Sequence, residues 1–190
     1  MIALWGLPLG LVIGWFRGGT FEQLGSLRPR GVATVFAALV LQVLIIPPGW
    51  LPQFLVLQST AAWHLVSYAL VIAFLVVNRR IRTLWGIAAG VAMNAVTIAA
   101  NGGFMPTSVE TLRRSGQTAV ADRLTALPSQ PYNNVVAMGP NTRLNFLGDW
   151  LFVPTWIPFG GNFSPGDLVL LVSVAWLIQA GMQHRVTDGT

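Results

Sequence analysis

NTRLNFLGDWLFVPTWIPFGGNFSPGDLVLLVSVAWLIQAGM, residues 141–182, is the stretch on which the fold turns. Its second half opens with a helix-start signal: Ser164 is a good N-cap, Pro165 suits the first helical position, and Asp167 stands three residues after the cap. The carboxylate there faces the positive end of the helix. Beyond this start, 167–182 is an apolar run with no further charge, and it reads as a membrane span. The first half interleaves Trp150, Phe152, Trp156 and Phe159 with Pro154 and Pro158, a pattern expected of backbone lying at a membrane interface. Two carboxylates, Asp149 and Asp167, therefore fall at the border between interface and span.

Composition places the rest of the chain in the same setting. Of 190 residues, 54% are apolar and 9% charged, and this excludes a soluble core with a solvated surface. There is no Lys, so all 11 basic residues are Arg. They fall in clusters between apolar runs, which suits phospholipid headgroups and excludes nucleic acid as a partner. With no Cys, disulfides, thiolate metal sites and Cys nucleophiles are excluded. His64 and His184 lie far apart in the chain, so neither a metal site nor any other cofactor is expected.

Working outward gives an all-α integral membrane protein, a single domain over 1–190, with about five short spans near 2–16, 32–46, 60–77, 83–100 and 167–182. The first span lacks a basic lead and a cleavage site, so it is expected to be uncleaved. It carries Gly6, Gly10, Gly14 and Gly18 at four-residue spacing, a stripe that lets another helix approach closely. Pro8 is expected to kink it near its start. Gly86 and Gly90 repeat the device in the fourth span, and the next position on that face is Asn94. An uncharged segment from Pro47 to Gln58, with Trp50 and Phe54, suits an outer interface. His64, near a span end, is expected to be a hydrogen-bonded or interfacial histidine.

Residues 101–166 contain no run long enough to span and form one extended region before the last helix. It begins with Asn101-Gly102-Gly103-Phe104-Met105-Pro106, a glycine-dictated turn. Thr107-x-x-Glu110 is expected to cap a short helix ending at Gly116, and a second one is expected over 118–126. Arg17, Arg28, Arg30, Arg79, Arg80, Arg82 and Arg185 lie in connectors that alternate with arginine-poor ones, whereas Arg113, Arg114, Arg123 and Arg143 of the long region are balanced by acids. By the positive-inside rule the N-terminus lies outside, the C-terminus inside, and region 101–166 is extracytoplasmic.

The Asn101-Gly-Gly-Phe-Met-Pro block, the Thr142-Arg143-Leu144 stretch leading to Leu147-Gly148-Asp149, and Ser164-Pro-Gly-Asp167 together resemble a bacterial multi-pass membrane family of unknown function. That resemblance implies a bacterial cytoplasmic (inner) membrane address and carries no activity. Gly148-Asp149-Trp150 with Phe163-Ser164-Pro165-Gly166-Asp167 is similar, locally, to lipoprotein signal peptidases, whose two motif acids form an aspartyl dyad. Here Ser164 stands where their second motif has Asn, and the chain has more spans than they do.

These features support two functional expectations. The first is a membrane protein that binds a lipid, a small molecule or a partner protein through region 101–166, using Asn94, Asn101, Arg143 and Asn145 beside aromatic walls. The alternative is aspartyl peptidase-like hydrolysis by Asp149 and Asp167, screened from water by Trp150, Trp156 and Phe159. A plain cap for Asp167, and a salt bridge from Asp149 to Arg143, are the simpler readings of these acids. A transporter is disfavoured, because the spans carry no other charge and show no inverted repeat.

Overall fold

The computed structural model describes residues 2–24, 29–45, 60–158 and 160–183. The expected interface 47–58, with Trp50 and Phe54, lies outside the described residues, as do Arg28, Phe159, His184 and Arg185.

The chain is mostly helical. A 3-10 turn, Ile2–Trp5, runs into α1, Gly6–Phe16, with Pro8 in the first turn of the α-helix, where its missing N–H costs nothing. A single turn α2, Phe21–Leu24, precedes α3, Val32–Ile45, α4, Thr60–Val77, and α5, Leu84–Ala100. The last helix, α8, is Pro165–Met182. Its 18 residues reach about 27 Å at 1.5 Å per residue. Among the described residues α8 is the one helix long and apolar enough to cross a membrane, and 2–16, 32–45, 61–77 and 84–100 are shorter apolar helices.

α8 is the hub of a row of helices. α1 packs on one side of it and α5 on another; α4 packs on α5, and α3 on α4. The glycine stripes explain how close these helices come. A methyl on Gly6 would sit 2.6 Å from the Leu171 carbonyl oxygen, and one on Gly10 2.7 Å from that of Ala175. Gly86 and Gly90 face Ser173 and Leu170 of α8 in the same way. Leu75, Leu84 and Val91 form the buried core of this row, against Tyr68, Phe74, Leu170 and Leu177. Its outer surface is apolar: Trp15 is 68% exposed, Phe16 78%, Phe36 64% and Trp85 63%.

The arginine-bearing connectors meet at one end. The Asn78 side chain at the end of α4 accepts from Arg30 N at 2.8 Å and donates to Arg30 O at 2.7 Å, and Gln183 after α8 donates to Arg17 O. Region 101–166 closes the opposite end, where the Trp5 indole donates to Pro158 O at 2.7 Å.

That region corrects the all-helical expectation. It holds α6, Val109–Ser115, and α7, Thr118–Ala126, but also four short strands. β1, Met105–Thr107, pairs in parallel with β2, Val135–Ala137, while β3, Leu151–Val153, pairs antiparallel with β4, Gly161–Phe163. Leu112, Ala121 and Leu124 make its small core, roofed by Val135 and Ala137 of β2. The cap of α6 also moves by one residue: Ser108, not Thr107, accepts from Thr111 N, because Thr107 is the last residue of β1 and its backbone bridges to Asp149. Gly116 ends α6 at φ +96° as expected.

Candidate functional site

The site grows out of the two glycines at the end of α5. Gly102 and Gly103 take φ of +67° and +97°, conformations that favour glycine, and they turn the chain directly into β1. The Gly103 carbonyl oxygen then lies 3.3 Å from His64 Nδ1, so the imidazole proton is on Nδ1. Asn101 clamps the turn to a distant loop. Its Oδ1 accepts from Arg143 N at 2.8 Å, and its Nδ2 donates to Arg143 O at 2.9 Å and to Thr97 O at 2.8 Å. The clamp sits beside Leu144, which is held at φ +55°, a costly conformation for a residue with a side chain.

From this turn β1 delivers Thr107 to Asp149. Asp149 N donates to Pro106 O at 2.8 Å and Ser108 N donates to Asp149 O at 2.9 Å, so the Asp149 backbone is locked beside β1. Its side chain has a weaker hold: Thr107 Oγ1 lies 3.4 Å from Asp149 Oδ2. Across from it, Ser164, Pro165 and Asp167 form the expected capping box. Asp167 N donates to Ser164 Oγ at 3.0 Å and Ser164 N donates to Asp167 Oδ2 at 3.2 Å. Asn94 of α5 completes the arrangement, donating to Asp167 Oδ1 at 2.8 Å and accepting from Ser164 Oγ at 2.8 Å. A methyl on Gly166 would collide with Asn94 Oδ1, which is why glycine comes after Pro165 here.

Asp149, Asp167 and Asn94 line one cavity of about 400 Å³ at the junction of the helix row and region 101–166. Gln42, His64 and Tyr68 reach it from α3 and α4, and Thr107, Gln117, Tyr132 and Asn162 from the region above. Burial pushes the Asp149 carboxyl up to about 8, and the negative charge of Asp167 pushes in the same direction. Asp149 thus holds its proton more tightly than an ordinary carboxylic acid does, whereas both Asp167 oxygens accept hydrogen bonds. No group of three or more His, Asp or Glu that could hold a metal ion occurs among the described residues.

The residues singled out from the sequence separate into two places. Asn94, Asp149 and Asp167 share the cavity. Asn101 and Arg143 line a second one, of about 620 Å³, beside Gly139 and Met138. Asn145 belongs to the turn between them, accepting from Thr142 Oγ1 at 2.7 Å and donating to Gly139 O at 3.0 Å. Asp149 and Arg143 are therefore not a pair. Trp150 and Trp156 do not screen the carboxylates either: both are exposed, and the Trp150 indole donates to Phe146 O at 3.0 Å. Leu151–Val153 packs against α6 through the β3–β4 pairing, and Trp150 and Trp156 on either side of it face outward.

Gln42, Tyr68, Thr107 and Asn162 join the site without having been expected there from the sequence. Gln42 and Tyr68 carried a usable signal, being polar side chains inside apolar helices.

A model for a family of unknown function, DUF5317, matches residues 27–179. The chain belongs to this family. The match runs from before α3 to residue 179 within α8 and includes every described residue lining the acidic cavity. No curated protein and no solved structure matches the chain.

Proposed function

We propose that this member of DUF5317 is a five-span integral membrane protein that binds a small polar ligand in the Asp149–Asp167 cavity, on the extracytoplasmic side. One observation carries the reading: hydrogen-bonding side chains from α3, α4, α5, α8 and the region above them converge on one cavity at the end of a helix row with an apolar exterior. Convergent polar groups in a cavity of a few hundred Å³ are what small-molecule sites are made of. The positive-inside rule sets the orientation, since the arginines around Arg17, Arg30 and Arg79–Arg82 gather at the other end. A bacterial inner membrane is the address the motif resemblance implies.

The absence of Cys makes the test direct. In G139C an impermeant maleimide applied to intact cells should label the protein; in R80C it should label only after permeabilisation. The reverse pattern would overturn the orientation. In N162C, labelling at the cavity should be slowed by a bound ligand, and a cavity residue whose labelling no small molecule affects would count against binding.

A second reading is favoured by the unequal carboxyls. In hydrolysis, Asp167 would take a proton from water as the water oxygen bonds the carbonyl carbon, and Asp149 would give its proton to the carbonyl oxygen. The C–N bond then breaks, with a proton passing to the departing nitrogen. The binding reading ranks above it because both Asp167 oxygens are already engaged by Asn94 and Ser164. Peptide hydrolysis that survives D149N and D167N would end the hydrolase reading.

A further inference from the structure

Among the described residues two carboxylates line the cavity, and no arginine does. The described arginines lie elsewhere: Arg113 and Arg114 pair with Asp122 and Glu110 on exposed helix faces, Arg143 lines the second cavity, and the others lie outside both cavities. The imidazole of His64 does line the cavity, with its Nδ1 against the Gly103 carbonyl oxygen. Buried charges in proteins are ordinarily paired, because an isolated carboxylate in a low-dielectric site is costly. Asp167 has neutral donors, Asn94 Nδ2 and Ser164 N. Among the described residues Asp149 has one side-chain hydrogen bond, at 3.4 Å from Thr107; burial and the charge of Asp167 raise its affinity for a proton, while the charge of the chain's amino group and the Thr107 bond act in the opposite direction. The remaining lining includes amides at Gln42, Gln117 and Asn162, each with an oxygen that can accept, and the rings of Tyr68 and Tyr132. A volume of about 400 Å³ is at the small end for organic ligands.

From this charge balance we infer that the cavity selects a compact organic cation, an ammonium group carried on a small molecule or on a phospholipid headgroup, seated between Asp149 and Asp167. The inference rests on the ligand-binding reading above and narrows it to one chemical class. An ammonium supplies N–H donors to both carboxylates and replaces the proton as the charge that balances them. An anion would meet two acids with no arginine to offset them, and a neutral polyol would leave the charge unbalanced. Both sources present the same ammonium chemistry, and the lipid composition of the test separates them.

The experiment uses the full chain in nanodiscs of phosphatidylglycerol, whose headgroup carries no ammonium, with ethanolamine as the cationic probe and ethylene glycol and acetate as neutral and anionic ones. Calorimetric titration and the thermal unfolding midpoint are read in parallel. The expected result is saturable binding of ethanolamine alone, weakened about tenfold or more by D149N or D167N and largely kept by D149E. If nanodiscs containing phosphatidylethanolamine raise the midpoint and block the soluble probe, the headgroup is the source; if they do neither while ethanolamine binds, the free amine is. Equal binding of ethylene glycol, preference for acetate, or unchanged affinity in D149N and D167N would overturn the cationic class while leaving the cavity a binding site. Absence of saturable binding by every probe, in both lipid compositions, would overturn the class and the binding reading together.

Discussion

The helix row and the region above it are held together by opposite means. In the row, glycines let α1 and α5 close on α8 until backbone meets backbone, and bulky apolar side chains cover the outside. In region 101–166 side chains stitch distant segments together: Asn101 to Arg143, Asn145 to Gly139, and Asn162 to Thr111 at 2.6 Å. Each has a small apolar core, to which the row adds close backbone approach and the region above adds polar bonds. The cavity lies where the two meet, walled by helix side chains below and loop side chains above.

The comparison is most severely tested at Gly10. G10L must displace the α8 backbone at Ala175, and overpacking of this kind costs about 3 kcal/mol or more. The expected outcome is loss of a monodisperse folded peak in detergent. If G10L instead behaves as wild type, α1 does not depend on close approach to α8. G103A comes next, since a methyl would both enter the left-handed region and lie 2.5 Å from Ala61 Cβ; a loss of about 2 kcal/mol in thermal unfolding is expected. N101A removes three hydrogen bonds at the joint and should cost about 2 kcal/mol, with faster proteolysis of the 139–147 loop.

Asp149 sharpens the comparison through pH. Its carboxyl holds a proton in the fold well above the usual carboxylate range, so the associated stability is fully present below about pH 4. It is lost as pH rises toward about 8, and one pKa unit corresponds to about 1.4 kcal/mol. The unfolding midpoint should therefore fall between about pH 5 and 8 in the wild type and vary less in D149N, with Asp167 and His64, which line the same cavity, unchanged in both. Identical profiles would show that Asp149 titrates as a solvated acid. The smallest effect belongs to R114A, whose exposed partner Glu110 is one turn away; a change within about 0.5 kcal/mol is expected.

How legible each half was in the sequence reflects the same contrast. The helices α1, α3, α4, α5 and α8 begin and end close to where apolar runs, prolines and glycines put them, because those signals are local. The capping box at Ser164 and Asp167 was legible for that reason as well. The strands were not, since β1 finds β2 some thirty positions later and Thr107 finds Asp149 at a separation of 42. No periodicity marks a three-residue strand whose partner lies so far along the chain. That hidden pairing also explains why Thr107 passed for a helix cap and why Trp150 passed for a lid. Asn94 was visible because an amide in an apolar helix stands out; that its partners would be Ser164 and Asp167 was not, because the packing of α5 on α8 is a tertiary fact.

Asn94 has a consequence of its own. It ties the first turn of α8 to α5 through the same carboxylate that faces the cavity. The residues that would hold a ligand are thus the ones that anchor the hub helix, and the two roles cannot drift apart. Any substitution that loosens Asn94 should therefore be felt at both places, in the seating of the first turn of α8 and in the shape of the cavity.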